Sequence, residues 1–200
     1  MTAAPSDHLT DKGRRTRERL LEVAGLELLD HGVVEVTAVA ERAGVSVGLL
    51  YRYFANKDGL ITALIDEFYD QYEAVVLAEA PPADVHWTEF ERARIVREVG
   101  FVFDHPLGRA IIGGPPAEPA AALADGRRLG RHIEMAARNI AHGVRRGEID
   151  VSVDHRLAGA AIIGGLRSCL AMALANGNDI SRNDVVEAVE QASAGLIRPN

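Results

Sequence analysis

The sequence predicts an all-α protein of about nine helices, with a three-helix helix-turn-helix domain first and a larger helical domain after it. Two observations lead to this prediction. Apolar residues recur at intervals of three and four through nearly the whole chain, and no segment shows the strict apolar–polar alternation of a half-buried strand. Glycine, proline and serine residues interrupt the pattern at places where helices commonly begin or end.

The first four predicted helices are closely spaced. They cover residues 14–31, 36–43 and 47–54, and the fourth begins near Lys57. Gly32 and Gly44 end the first two, because glycine readily takes the left-handed conformation that follows a helix. Ser46 is a good N-cap for the third helix.

Five further helices are predicted after the break at Ala80-Pro81-Pro82-Ala83-Asp84. Thr88 and Glu91 have the spacing of a capping box at the start of the first of them. The five cover residues 88–103, 107–112, 118–146, 154–175 and 182–197. We expect a flexible arm over residues 1–13, a helix-turn-helix domain over 14–65 and a second domain over 66–200.

Composition and charge narrow the functional class. The net charge is −7, which argues against a protein that coats nucleic acid through charge alone. Residues 1–60 are nevertheless near neutral, with eight Lys and Arg against nine Asp and Glu, and five of those cations fall between Lys12 and Arg19. Cys169 is the only cysteine, no apolar run approaches a membrane span, and the N-terminus lacks a secretory signal. We expect a soluble cytoplasmic protein without membrane contact.

Catalytic and metal-binding motifs are missing from the sequence. It contains no Gly-rich phosphate loop, nucleophile elbow or His-Glu-x-x-His motif. Its seven histidines are scattered, with no pair four residues apart, and one cysteine excludes a cysteine-based zinc site. We therefore expect neither an enzyme nor a bound metal or cofactor.

The junction Ala43-Gly44-Val45-Ser46 has the spacing of a helix-turn-helix. A third helix that packs through Leu50 and Phe54 turns its other side to solvent, and such a helix fits the major groove of B-form DNA. Gly48 would let the backbone approach DNA closely, and Lys57 adds its charge to a helix N-terminus that already attracts phosphate.

The segment AGVSVGLLYRYFANKDGL, residues 43–60, resembles the DNA-binding signature of the TetR family of bacterial transcriptional regulators. The resemblance extends over residues 14–65. It implies an Ω-shaped homodimer with one helix-turn-helix per subunit, a palindromic double-stranded operator, and a C-terminal domain for dimerisation and for a small molecule that releases the DNA. The predicted DNA contacts are Arg14, Arg15, Thr37, Ser46, Val47, Gly48, Leu49, Tyr51, Arg52, Tyr53 and Lys57.

Two departures from the family pattern affect these contacts. The connection from Gly32 to Val39 is about two residues short, so the usual capping Thr or Ser falls on Glu35, whose carboxylate would repel phosphate. Thr37 is the alternative cap and phosphate contact. Leu49 stands where many relatives carry Thr or Ser, and it can touch a thymine methyl but cannot donate a hydrogen bond. A sensor without specific DNA binding, or an activator, is the alternative function.

The C-terminal two-thirds carries weaker signals. Small residues crowd the segment 154–175, which predicts that this helix and 182–197 pair with their two-fold mates as a four-helix bundle, or else pack tightly within one subunit. The predicted dimer contacts are Ala158, Ala161, Gly164, Gly165, Ser168, Val186 and Val189. A pocket for a hydrophobic effector is predicted from Phe68, Tyr72, Trp87, Phe90, Phe101, Phe103, Ile112, Met135, Asn139 and Met172, with His132 and His142 as candidate polar anchors.

Overall fold

The computed structural model describes residues 10–78, 82–114, 117–175 and 179–200, and within these ranges it confirms the predicted all-α fold. Nine α-helices are present there: α1 (Asp11–His31), α2 (Val36–Arg42), α3 (Val47–Phe54), α4 (Lys57–Tyr72), α5 (Trp87–Asp104), α6 (Gly108–Ile112), α7 (Pro119–Arg145), α8 (His155–Ala175) and α9 (Arg182–Ala194). A π-helical segment, Glu73–Leu77, follows α4.

The chain divides into two compact units. The first takes in the described residues of Met1–Tyr69 and Pro116–Asp125, and the second those of Asp70–Pro115 and Gly126–Asn200. The boundary expected at residue 65 lies inside α4, and the return of a later segment to the first unit was not predicted. Of the predicted flexible arm, residues 1–9 lie outside the described ranges. Asp11 already begins α1, because the Thr10 side chain accepts a hydrogen bond from the backbone N–H of Gly13.

The core of the first unit joins the three helices of the predicted helix-turn-helix domain. Leu20 from α1, Val39 from α2 and Leu50 from α3 are fully buried in it. Arg42 fastens the end of α2 to α1, since its Nη1 lies 2.6 Å from Oε1 of the buried Glu27. Hydrophobic burial and this charged contact together hold α2 against α1.

The second unit contains a small sheet that the sequence analysis missed. Strand β1 (Ile149–Val151) pairs antiparallel with β2 (Ile197–Pro199), with Ile149 opposite Pro199. Helix α9 therefore ends at Ala194 and does not reach the predicted residue 197. Each strand is only three residues long, too short for an alternating pattern to show. The sheet closes a core cluster of Trp87, Ile140, Ile149, Ala158 and Ile197.

The start of α5 also differs from the prediction. His86 is the N-cap, and its Nδ1 accepts a hydrogen bond from the backbone N–H of Thr88. Thr88 lies inside the first turn, so the predicted capping box is wrong. Glu91 is buried and contacts Arg94.

Helix α8 passes a simple test for a membrane span, which corrects the expectation that no segment would. An eighteen-residue window has a mean hydropathy of 1.7, and 33% of that window is buried within the protein. Length and composition alone do not separate a spanning helix from a core helix. Helix α8 packs against α6 and α9, so part of its apolar surface lies in the second unit's core.

Candidate DNA-binding and ligand sites

Helix α3 has one face in the core and one in solvent, as the helix-turn-helix prediction requires. Ser46 begins it, since its Oγ accepts a hydrogen bond of 3.2 Å from the backbone N–H of Leu49. Leu50 is fully buried and Phe54 nearly so. The outward side is formed by Gly48, Tyr51 and Arg52, all exposed, with Val47, Leu49 and Tyr53 half-buried at its edges.

The turn before α3 depends on backbone conformation. Gly44 has φ of 68°, in the left-handed region that side chains other than glycine's rarely adopt. A Cβ at this position would meet nothing within 4 Å, so the glycine is required by its dihedral angle and not by lack of space.

The turn into α4 requires the backbone at Gly59 to lie close to the end of α3. A Cβ on Gly59 would lie 1.9 Å from the backbone oxygen of Phe54, so only glycine lets α4 begin so near the end of α3. Asn56 caps the helix, because its Oδ1 accepts a hydrogen bond of 2.7 Å from the Gly59 N–H. Lys57 is thereby held at the first position of α4, where the free N–H groups of the helix also lie.

Two carboxylates lie close to Lys57 within the first unit. Its Nζ is 2.9 Å from Oε1 of Glu118 and 3.9 Å from Oε1 of Glu35. The hydrogen bond to Glu118 raises the pKa of Lys57, so the side chain stays fully protonated near neutral pH. Glu118 was not among the predicted site residues, because nothing in a linear sequence reveals a contact between residues so far apart.

Neither candidate cap of α2 acts as one. Glu35 occupies the N-cap position but its side chain makes no capping hydrogen bond, and Thr37 lies exposed inside the helix. The Glu35 carboxylate is directed instead towards Lys57. The departure noted in the sequence therefore changes the charge beside the predicted phosphate site.

A basic groove lies between the start of α1 and the turn before α3. It has a volume of about 630 Å³, and its cations are Lys12, Arg15 and Arg19, facing Gly44 and Val45. The predicted contact Arg14 instead forms an ion pair with Asp11. Lys12 and Arg19 were not among the predicted contacts, although their spacing of three and four from Arg15 places all three on one helix face.

Comparisons with known proteins agree with this geometry. The profile of the bacterial regulatory proteins of the tetR family matches residues 23–64, which contain the end of α1, all of α2 and α3, and the first half of α4. An HTH-type transcriptional regulator of Mycobacterium tuberculosis is 28% identical over 152 residues, covering 72% of this chain and 64% of its own length. Residues 23–64 therefore belong to the tetR family of bacterial regulatory proteins.

Two further proteins show how far the similarity to the TetR family extends. The HTH-type transcriptional repressor KstR of Rhodococcus jostii is 26% identical over 149 residues, or 59% of this chain and 70% of that repressor. The crystal structure of NalD from Pseudomonas aeruginosa superposes with a TM-score of 0.73 at 18% identity and covers 94% of this chain and 98% of that one. The chain thus spans a little under two thirds of the mycobacterial relative, while its fold matches NalD nearly end to end.

The predicted hydrophobic pocket is only partly assembled. Four predicted residues line a cavity of about 130 Å³ in the second unit together with His132, namely Tyr72, Phe90, Met135 and Asn139. Trp87 is a core residue, Phe68 is fully buried in the first unit, and Ile112 is buried in α6. Met172 is 55% exposed on α8 and does not line this cavity. Phe103 stacks under Arg182, and Phe101 lies edge-on to Tyr72.

The wall of this cavity carries buried charge. Arg94 donates two hydrogen bonds to Oε2 of Glu91, at 2.7 and 3.0 Å, and a third of 3.3 Å to Glu98. Asn139 donates to the other Glu91 oxygen at 2.7 Å. Burial raises the pKa of Glu98, although the charge of Arg94 opposes that shift. Burial also lowers the pKa of His132, one of the candidate polar anchors, which therefore favours its neutral form.

The predicted dimer surface is corrected in three positions. Ala158, Val186 and Val189 are buried inside the chain, where they pack against its own helices. The other predicted contacts, Ala161, Gly164, Gly165 and Ser168, keep accessible surface on α8. Leu157 and Met172 extend that surface by one turn at either end and are 66% and 55% exposed. We name Leu157, Ala161, Gly165, Ser168 and Met172 the outward face of α8.

Proposed function

We propose that the protein is a DNA-binding transcriptional regulator, a repressor that leaves a palindromic operator when a small, largely apolar effector binds its second unit. The observation that supports this most is the exposed face of α3 beside the basic groove. The helix supplies side chains for base edges, and the groove supplies cations for phosphates. KstR and NalD, both similar to this chain, are named as repressors.

Salt dependence of DNA binding tests the role of the basic groove. Arg15→Ala should weaken binding to DNA selected from a random pool and should reduce the slope of log K against log salt by about 0.9, because one phosphate contact is lost. Fluorescence anisotropy with labelled duplexes over a range of salt concentrations measures this slope.

Arg145→Ala is the matched control, since it also removes one exposed arginine but from the end of α7 in the second unit. The slope of log K against log salt for Arg145→Ala should equal that of the parent protein within error. If the pool yields no duplex that binds in a salt-sensitive manner, the proposed function fails. Equal slopes for both variants would mean that Arg15 does not contact a DNA phosphate.

We also propose that the protein is a homodimer formed through the outward face of α8. A Cβ on Gly164 or Gly165 would meet nothing within 4 Å, so the chain's own packing does not require these helix-weakening glycines. Close approach of a partner helix accounts for them, and the exposed Leu157 and Met172 add apolar area to bury.

Ala161→Glu should convert the dimer to a monomer, because two buried carboxylates would face each other across a two-fold axis. Light scattering after size-exclusion chromatography measures the mass, and circular dichroism checks that the helices remain. Ala93→Glu, on an exposed position of α5, is the control and should stay dimeric. A dimer that persists in Ala161→Glu would place the interface elsewhere.

A sensor without specific DNA binding is the second candidate. Glu35 and Glu118 favour it, because both place negative charge within 4 Å of the cation predicted to meet phosphate. A reporter gene behind the selected DNA separates all three possibilities. Repression of the reporter supports a repressor, and activation of the reporter indicates an activator. No effect on the reporter, together with no DNA binding, favours the sensor.

A further inference from the structure

The cavity expected for the effector does not suit an apolar molecule. It holds only about 130 Å³, below the range of about 300–1,000 Å³ typical of small-molecule sites, and the charged guanidinium of Arg94 forms part of its wall. Placing an apolar group against that guanidinium would leave its hydrogen-bonding capacity less well satisfied. The second unit has a larger alternative between α5, α8, α9 and β2, which we name the α5–α9 pocket.

The α5–α9 pocket is large enough for a ligand and mostly apolar. Its volume is about 390 Å³, within the range of about 300–1,000 Å³ typical of small-molecule sites. Its apolar lining consists of Trp87, Ile95, Ile162, Ala194, Ile197 and Pro199.

The walls of the α5–α9 pocket are held in place without a ligand. The Trp87 indole donates a hydrogen bond of 3.1 Å to the Asn139 carbonyl, and the Trp87 backbone N–H donates one of 2.7 Å to Glu148. The antiparallel pairing of β1 and β2 fixes Ile197 and Pro199. A pre-formed site binds a ligand without the cost of ordering its own walls.

The charged groups of the pocket disfavour an anionic ligand, because three carboxylates, Glu89, Glu91 and Glu190, line it with Arg92 as the one cation of its described lining. Arg92 and Glu190 neutralise each other at the rim, with Nη1 and Oε2 2.9 Å apart, so a charged ligand would have to break that pair. Ser193 differs from them. Its Oγ is shielded from solvent and has no hydrogen-bond partner within the described part of the chain. A buried hydroxyl without a partner costs about 1–3 kcal/mol, which a ligand could recover once a change of the Ser193 rotamer brings Oγ to the pocket surface.

We propose that the α5–α9 pocket is the effector site and that it takes an uncharged, largely apolar molecule with one hydroxyl or carbonyl group that meets Ser193. This rests on the proposed function of an effector-responsive regulator. The pocket lies on the side of α9 that faces α5, whereas the outward face of α8 is the surface proposed for the dimer.

Trp87 gives a direct readout, because it is the only tryptophan of the chain and lines the pocket. The probe is ω-bromononanol, a neutral apolar alcohol whose bromine quenches indole fluorescence. We expect saturable quenching in the full-length protein, reversed by unbrominated nonanol. The carboxylate analogue ω-bromononanoate should bind at least about tenfold more weakly, since each 1.4 kcal/mol of lost affinity is a factor of ten.

Ala194→Phe should reduce alcohol binding at least about tenfold, because Ala194 is an exposed lining residue and a phenyl ring there fills the pocket without entering the core. Ala93→Phe makes the same change on an exposed α5 position outside the lining and should bind like the parent. Ser193→Ala should weaken binding of the alcohol but not of ω-bromononane, which has no hydroxyl. Unchanged quenching in Ala194→Phe, or equal affinity for the carboxylate, overturns the assignment.

DNA binding is measured in the same samples, so that a failure of the proposed function can be distinguished from a failure of the pocket assignment. Nonanol should lower the affinity for the selected duplex in the parent and in Ala93→Phe, but not in Ala194→Phe. Alcohol binding that leaves DNA affinity unchanged refutes the effector role of the pocket. Absence of any DNA binding refutes the proposed function, while the quenching data still decide whether the pocket takes the neutral ligand.

Discussion

Arg94→Met should lower the free energy of unfolding by about 3–5 kcal/mol, because it leaves two carboxylates buried without their cation. Arg94 is buried and donates three hydrogen bonds, two to Glu91 and one to Glu98. Burial by itself would lower the pKa of Arg94, but the neighbouring carboxylates raise it, so the guanidinium is charged at every usable pH. Urea unfolding followed by circular dichroism measures the loss.

The loss should depend on pH. Burial raises the pKa of Glu98 in the folded protein above its unfolded value, so the folded state holds a proton more tightly than the unfolded chain does. The contribution of such a group to stability is complete below the unfolded pKa and is lost as the pH rises through the folded pKa. Without Arg94 the rise in the pKa of Glu98 grows. The free energy of unfolding that the variant loses relative to the parent should therefore be larger at about pH 8 than at about pH 5.

Two further variants test the cause. Adding Glu91→Gln and Glu98→Gln to Arg94→Met should restore much of the stability and flatten the pH dependence, because neutral amides need no counterion. Arg92→Met is the matched control, since Arg92 is exposed and only its ion pair with Glu190 is lost, which changes stability by at most about 1 kcal/mol. Equal losses in Arg92→Met and Arg94→Met would contradict the proposed role of burial.

Local chemistry explains which parts of the fold could be predicted. Gly32 and Gly44 both have positive φ, and each ends a helix at the predicted place. Ser46 caps α3, whose bounds match the predicted 47–54. In each case one residue type favours one local conformation, and neighbours along the chain are sufficient to read it.

Features that depend on distant residues could not be predicted in this way. The strands β1 and β2 are separated by two helices and show no pattern of their own. The Glu91–Arg94 pair has the spacing of an ordinary exposed helical ion pair, and only tertiary packing buries it. The same holds for Glu118, which meets Lys57 because the segment before α7 returns to the first unit.

That contact with Lys57 leads to the second large effect expected. Lys57→Ala should weaken DNA binding by about tenfold and reduce the salt slope by about 0.9, because one phosphate contact is lost. Glu118→Gln should strengthen binding, since a phosphate must otherwise displace the carboxylate that lies 2.9 Å from the Lys57 amine. Glu41→Gln is the control, because Glu41 is an exposed carboxylate of the first unit and is not one of the two carboxylates that lie beside Lys57.

The double variant Lys57→Ala/Glu118→Gln distinguishes two ways in which Glu118 could oppose DNA. If Glu118 competes with phosphate for Lys57, its replacement should gain nothing once the lysine is gone, and the two single effects will not add. If Glu118 repels the DNA backbone directly, the gain should persist in the double variant. A parallel cycle with Glu35→Gln should show a smaller coupling, because that carboxylate is 3.9 Å from the amine and more exposed. Full additivity in both cycles would mean that neither carboxylate acts through Lys57.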